Sequence, residues 1–125
     1  MGMKGFLSII AGFVFKPAFD AAEKGAKQGN PFEQFNLGLM YYKGAGVPKD
    51  DKEAVKWYLK AAEQGDASAQ FNLALMYAKG EGVPKDDKEA VKWYRKAAEQ
   101  GDALVQFSLG LMYANGEGVP KDAKE

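Results

Sequence analysis

The sequence predicts an all-α fold, an α-solenoid of antiparallel helix pairs, on three observations. Residues 34–69 and residues 70–105 are identical at thirty of 36 aligned positions, and a third copy begins at Gln106. Each copy contains two helical patterns, and a loop with two glycines and a proline separates them. Self-similarity with a period between about 20 and 50 residues is the mark of stacked repeats, because one such unit cannot bury its apolar face alone.

The first pattern of each copy predicts an inner helix covered on more than one side. It follows a glycine that can close the preceding helix and an Asn or Asp that can cap the new one, as in Gly29–Asn30, Gly65–Asp66 and Gly101–Asp102. Pro31 suits a first helical turn. In the middle copy Leu73, Ala74 and Tyr77 share one side of the helix, and Phe71 and Leu75 lie roughly opposite.

The second pattern predicts an amphipathic outer helix with a solvated back. An aspartate starts it and a glutamate follows three residues later, the spacing of a capping box, in the pairs Asp50–Glu53, Asp86–Glu89 and Asp122–Glu125. The apolar face is formed by Ala54, Trp57, Tyr58 and Ala61, and the charged face by Lys52, Glu53, Lys56, Lys60 and Glu63.

The first fifteen residues stand apart from the repeats. One lysine precedes an apolar run from Gly5 to Phe15 that is too short to span a bilayer and has no small-residue pair for signal cleavage after it. Because Phe6, Ile9, Ile10, Phe13 and Val14 fall at helical spacing, the run is interpreted as a capping helix, with an uncleaved anchor or a signal peptide as alternatives. The predicted organisation is therefore an apolar segment at 1–15, a degenerate outer helix at 16–29, repeats at 30–65 and 66–101, and an incomplete repeat at 102–125.

The residues resemble the Sel-one-like repeat, a branch of the tetratricopeptide superfamily. In the middle copy the resemblance is carried by Leu73, Ala74, Tyr77, Gly80, Gly82, Trp93, Tyr94, Ala97 and Ala98. It implies a right-handed solenoid that works as a protein–protein interaction scaffold, in adaptors or in bacterial immunity proteins that neutralise secreted effectors. The disulfides of some cysteine-rich family members do not carry over, because this chain has no cysteine.

Composition argues against a catalytic or metal-dependent function. The chain has neither histidine nor cysteine, and its formal net charge is zero, so nothing recruits nucleic acid by charge alone. The paired carboxylates at Asp50–Asp51 and Asp86–Asp87 are explained by helix capping. The two loop glycines lack the third glycine and the preceding strand of a nucleotide site. We expect no catalytic residue, no metal and no cofactor.

The expected function is the capture of a protein or peptide in a concave groove. Superposing the tetratricopeptide inner helix turns one stripe of each copy toward the groove. Its predicted members are Phe32, Phe35, Asn36, Leu39, Tyr42 and Lys43 in the first copy, Ser68, Phe71, Asn72, Leu75, Ala78 and Lys79 in the second, and Leu104, Phe107, Ser108, Leu111, Ala114 and Asn115 in the third.

Alternatives stay open at this point. Phe35, Phe71 and Phe107 are identical across the copies, so they could pack between repeats rather than contact a ligand, whereas the positions of Phe32 and Tyr42 vary between copies and are better candidates for specificity. A homo-oligomer could form through the open carboxyl-terminal end or the apolar amino-terminal segment, and that segment could instead anchor a membrane-associated assembly factor. The compartment is undecided; the cytoplasm is favoured, and a signal peptide would mean the periplasm or secretion.

Overall fold

The structure is a computed structural model that describes residues 3–118, and in the first helix it describes the side chains from residue 16 onward. This part of the chain is all helical, a right-handed α-solenoid in which each helix packs antiparallel on the next along the chain. The helices are α1 Met3–Lys27, α2 Pro31–Lys43, α3 Asp51–Glu63, α4 Ala67–Lys79, α5 Asp87–Ala98 and α6 Ala103–Asn115. The inner helices are α2, α4 and α6, and the outer helices are α3 and α5.

The predicted caps form at both ends of the helices. The side chains of Asn30, Asp66 and Asp102 accept hydrogen bonds from backbone N–H groups in the first turns of α2, α4 and α6. Asp50 and Asp86 cap α3 and α5 in the same way. These bonds satisfy N–H groups that a helix leaves without an internal partner. Asp122 and Glu125, predicted to cap another outer helix, lie outside the described residues.

In the two predicted capping boxes that lie within the described residues, only the aspartate half forms. The backbone N–H of Asp50 donates to the carbonyl of Tyr41 at 2.9 Å, and that of Asp86 donates to the carbonyl of Tyr77 at 2.9 Å. The glutamate three residues later is therefore not needed to satisfy that N–H group. The bond instead ties the start of each outer helix to the end of the inner helix before it.

The buried residues join neighbouring helices in two apolar clusters, one between α1, α2 and α3 and a larger one from α3 to α6. Leu37 and Leu73 are fully buried on the inner helices, and Ala54, Tyr58 and Ala61 are buried on the apolar face of α3. The lysines of the outer helices are exposed, as their spacing predicts. Trp57 and Trp93 are also buried, so removal of either side chain is expected to be costly.

Helix α1 runs without a break across positions 15 and 16, where the sequence suggested a boundary. From residue 16 onward it buries Phe19, Ala22 and Ala26 against α2, with the rings of Phe19 and Tyr41 in edge-to-face contact at 5.6 Å. The apolar side chains before residue 16, on which the capping-helix interpretation depends, lie outside the described ones. No described helix combines the length and apolar character that crossing a membrane requires.

A ladder of glutamines connects the ends of successive helix pairs. The buried Gln34 donates from Nε2 to the Ala26 carbonyl at 3.2 Å and accepts from Gln64 Nε2 at 2.8 Å. Gln70 and Gln100 repeat the arrangement one copy later, at 3.1 Å for both bonds. Each buried amide thus bonds on both sides, as buried polar groups generally must.

Candidate functional site

The exposed apolar residues concentrate on the inner helices. Phe32 is 64% exposed and Leu104 is 62% exposed, and Ser68 is the exposed equivalent between them. All three occupy the second position of their helices, so they lie at the same end of α2, α4 and α6. We call the surface formed by the eighteen predicted site residues the inner-helix groove.

A depression of about 100 Å³, the Tyr58 pocket, lies between α2 and α4. Tyr58 of the outer helix α3 reaches through to it, and Glu81 of the following loop stands beside it. The pocket is lined by Leu39, Tyr42, Lys43, Tyr58, Asn72, Leu75, Met76, Lys79 and Glu81. Six of these residues, Leu39, Tyr42, Lys43, Asn72, Leu75 and Lys79, belong to the predicted groove.

The Tyr58 hydroxyl is an unmatched polar group in this pocket. Its side chain is 1% exposed, and the oxygen has no hydrogen-bond partner among the residues that the structure describes. Burial raises the pKa of Tyr58 to about 12, although the nearby Asn72 amide acts in the lowering direction. Asn72 therefore lies beside the hydroxyl, but the two groups do not form a hydrogen bond of normal geometry.

The rim of the Tyr58 pocket is polar and partly fixed. Tyr42 donates from its hydroxyl to Glu81 Oε1 at 3.2 Å, and Lys49 Nζ lies 4.2 Å from the centre of the Tyr42 ring. Burial, and then the Glu81 carboxylate, raises the pKa of Tyr42. The exposed Lys43 and Lys79 complete the rim, and neither forms a salt bridge with a carboxylate in the described part of the chain.

A second depression of about 220 Å³, the Phe71 pocket, adjoins the first between α4 and α6. It is lined by Phe35, Ala67, Ser68, Phe71, Asn72, Asp102, Leu104 and Val105. Asn72 belongs to both pockets, so the two depressions form one run along the inner helices.

Ten of the eighteen predicted groove residues line these two pockets, and eight do not. Phe32 is exposed beyond them, and Asn36 donates to Glu33 Oε1 at 3.0 Å. Ala78 lies on α4, and the other five, Phe107, Ser108, Leu111, Ala114 and Asn115, lie on α6, where Ser108 donates to the Leu104 carbonyl at 3.0 Å.

The three identical phenylalanines differ in their surroundings. The half-buried Phe35 lies 5.8 Å from the Tyr58 ring, and the half-buried Phe71 lies 5.7 Å from the Tyr94 ring. Phe107 is 64% exposed, and it has no such ring partner among the described residues. Phe35 and Phe71 therefore combine packing within a repeat with a position in a pocket wall.

Sequence reasoning did not place Tyr58, Met76 or Glu81 in the groove. Tyr58 was assigned to the apolar face of the outer helix, because a helical pattern carries no signal that its side chain also lines a pocket between α2 and α4. Glu81 could have been found, because it differs from Ala45 at the equivalent loop position. No cluster of acidic residues in the described part of the chain could hold a metal ion.

Comparison with known proteins identifies the repeats. The sequence model of the Sel1 repeat matches residues 34–66, 67–102 and 103–125, which together make up most of the chain. The chain belongs to the Sel1 repeat family. Proteins built from Sel1 repeats generally mediate protein–protein interactions, and the fold is typically a non-catalytic scaffold.

Solved structures of other Sel1 repeat proteins are similar. The protective antigen c5321 of uropathogenic Escherichia coli, which has an SLR fold, is 46% identical with a TM-score of 0.84 over 86% of this chain and 23% of its own. A Sel1 repeat protein from Oxalobacter formigenes is 44% identical with a TM-score of 0.82 over 97% of this chain and 49% of its own.

A more distant structure is the cysteine-rich protein B of Helicobacter pylori. It is 30% identical with a TM-score of 0.69, over 73% of this chain and 68% of its own. The present chain thus spans less than half the length of the first two proteins. The comparison with curated proteins gave no match.

Proposed function

We propose that this Sel1 repeat chain is a non-catalytic scaffold that binds a protein or peptide segment in the inner-helix groove. The observation that carries the proposal is the adjoining pair of pockets, which share Asn72 and contain ten of the residues expected in the groove. A run of apolar pockets with a few convergent polar groups is the usual form of a recognition site.

The chemistry of the groove suits a single peptide segment that crosses both pockets. Leu39 and Leu75 supply apolar walls, Phe35 and Phe71 supply aromatic edges, and the Asn72 amide offers hydrogen bonds where the two pockets meet. Aromatic anchors in desolvated pockets dominate the binding energy of most interfaces. A bound segment that crosses both pockets would bury the aromatic side chains of the groove. Its backbone or side-chain polar groups would form hydrogen bonds with the Asn72 amide.

Differences between the copies provide a basis for specificity. The helix-start position is Phe32, Ser68 or Leu104 and the helix-end position is Tyr42, Ala78 or Ala114, while most residues around them are constant. Two large exposed apolar side chains, Phe32 and Leu104, flank a serine at the same end of the groove. Exposed apolar residues that cluster on one surface often mark interaction sites.

The proposal is tested by selecting peptides from a phage-displayed library of random sequences on the full chain. The affinity of enriched peptides is then measured for Phe32→Glu and Leu104→Glu, and for Lys52→Ala and Lys88→Ala on the exposed face of the outer helices. All four variants make the net charge more negative by one, so the two pairs are distinguished by the location of the change and not by its charge. A glutamate near a helix start is compatible with the helix dipole, which keeps the groove variants folded.

We expect the groove variants to bind at least about tenfold more weakly, as for the loss of an interface anchor, with unchanged melting temperatures. The outer-helix variants should bind like the unmodified chain. Equal binding by all four variants, or the absence of any enriched peptide, would contradict the proposal.

A further inference from the structure

We propose that the Tyr58 pocket takes the carboxylate of a glutamate or aspartate side chain from the segment bound in the groove. This inference rests on the proposed function, since it names the anchor that the groove would recognise. It follows from an unmatched buried hydroxyl, an excess of positive charge at the rim and the size of the pocket.

The buried hydroxyl of Tyr58 calls for a hydrogen-bond acceptor from outside the chain. It is an O–H group removed from water and without a partner among the described residues. Leaving such a group unsatisfied is unfavourable, and an acceptor entering the pocket would remove that penalty. The Asn72 amide lines the same pocket and can donate to a second oxygen of the same carboxylate.

The charges around the pocket select an anion over a neutral or cationic group. Lys43 and Lys79 contribute two positive charges to the lining, and Glu81 contributes one negative charge. One oxygen of Glu81 already accepts the Tyr42 hydroxyl proton in a hydrogen bond. A carboxylate would form charge-assisted interactions with the two lysines, whereas a lysine or arginine side chain would be repelled by them.

The remaining walls fit the stem of an acidic side chain. Leu39, Leu75 and Met76 present apolar surface to the interior of the pocket. A volume of about 100 Å³ admits one side chain of modest size. Methylene groups against these walls and a carboxylate toward Tyr58 and the lysines would place each part of a glutamate in a matching environment.

The equivalent place one repeat later is chemically different. The positions of Tyr42, Asn72 and Lys79 are taken by Ala78, Ser108 and Asn115. One lysine is therefore replaced by an asparagine, and a serine stands in place of Asn72. A carboxylate anchor is thus expected once along the groove, between α2 and α4, and Tyr94→Phe provides a matched control for Tyr58→Phe.

The test uses the peptides enriched from the phage library. We expect them to share an acidic residue at one position. Replacement of that residue by glutamine or asparagine should weaken binding by about tenfold, because it removes a charged hydrogen-bond acceptor. The double variant Lys43→Gln and Lys79→Gln should bind the acidic and amide peptides equally. Tyr58→Phe should weaken binding of the acidic peptide, while Tyr94→Phe and the double variant Lys52→Gln and Lys88→Gln should not.

The outcomes separate this inference from the proposed function. If enriched peptides depend on Phe32 and Leu104 but carry no shared acidic residue, or if the acidic and amide peptides bind equally to the unmodified chain, the carboxylate anchor is wrong and the groove stands. If no peptide depends on the groove residues, both proposals fall. Melting temperatures of the variants exclude unfolding as the cause of lost binding.

Discussion

The Tyr58 ring packs directly against the backbone of Gly38, so that a Cβ atom at position 38 would lie 2.7 Å from Cδ1 of Tyr58. This contact lets the tyrosine of α3 pass close to α2 and line the Tyr58 pocket. The next inner helix has Ala74 at the equivalent position and the last has Gly110. Around Gly110 no described atom would lie within 4 Å of an added Cβ.

Gly38→Ala and Gly110→Ala should therefore have opposite effects on stability. At Gly38 the buried tyrosine must shift, and we expect a net loss of about 1 to 2 kcal/mol after the gain in helix propensity. At Gly110 only the propensity term acts, so a gain of about 0.5 to 1 kcal/mol is expected. Urea unfolding followed by circular dichroism measures both; effects of the same sign would refute the close contact at Gly38.

Burial of Tyr58 should make stability fall at alkaline pH. The pKa is raised from 10.0 to about 12 in the folded chain, so the phenol of the unfolded chain ionises first as the pH rises. The contribution of the protonated Tyr58 phenol to the free energy of unfolding is complete below pH 10 and is lost as the pH rises toward 12. The melting temperature of Tyr58→Phe, which lacks this titration, should fall less over that interval than that of the unmodified chain. Parallel curves for the two proteins would argue against a buried phenol.

The loop glycines should differ in their tolerance of a side chain. Gly82 and Gly65 both have positive φ, at 74° and 95°, so alanine at either is strained by about 1 kcal/mol. A Cβ at Gly82 would also lie 2.4 Å from the carbonyl oxygen of Asp51, whereas around Gly65 no described atom would lie within 4 Å. We expect Gly82→Ala to be more destabilising than Gly65→Ala by roughly 1 to 3 kcal/mol, measured by chemical unfolding. Similar losses would show that the loop does not sit tightly on α3.

The two tryptophans should be the most costly single truncations. Trp57 packs with Phe19 and Leu37, and Trp93 packs in the main core. Replacement of either by alanine is expected to cost about 3 to 5 kcal/mol. Phe107→Ala removes a largely exposed ring and should change the free energy of unfolding by less than about 1 kcal/mol. A small effect at Trp93 would place its ring outside the core.

The sequence was sufficient for the features that depend on nearby residues. The caps at Asn30 and Asp66 and the buried face of α3 follow from spacing alone, because the partners are a few residues apart. The bond from Asp50 to the Tyr41 carbonyl was not predictable, since it depends on how the loop returns the chain to α2. The glutamine ladder joins residues 30 positions apart, and helical periodicity carries no signal for such pairs.

The site was predictable only in part, for the same reason. The stripe containing Leu39 and Leu75 could be placed on the inner helices from repeat periodicity and family resemblance. Phe71 of that stripe is half-buried beside the Tyr94 ring, whereas Phe107 is exposed, and the repeat pattern carries no signal for this difference. The position of the Tyr58 hydroxyl depends on packing across Gly38, a contact between helices that no local pattern encodes.

The most direct test of binding in the inner-helix groove is a titration of the isotope-labelled chain with an enriched peptide, followed by nuclear magnetic resonance. We predict that the largest shift changes fall on α2, α4 and α6, with the side-chain amide of Asn72 among them, because Asn72 lines both pockets. The exposed lysines of α3 and α5 should change little. Shift changes concentrated on the outer helices, with Asn72 unaffected, would contradict the account.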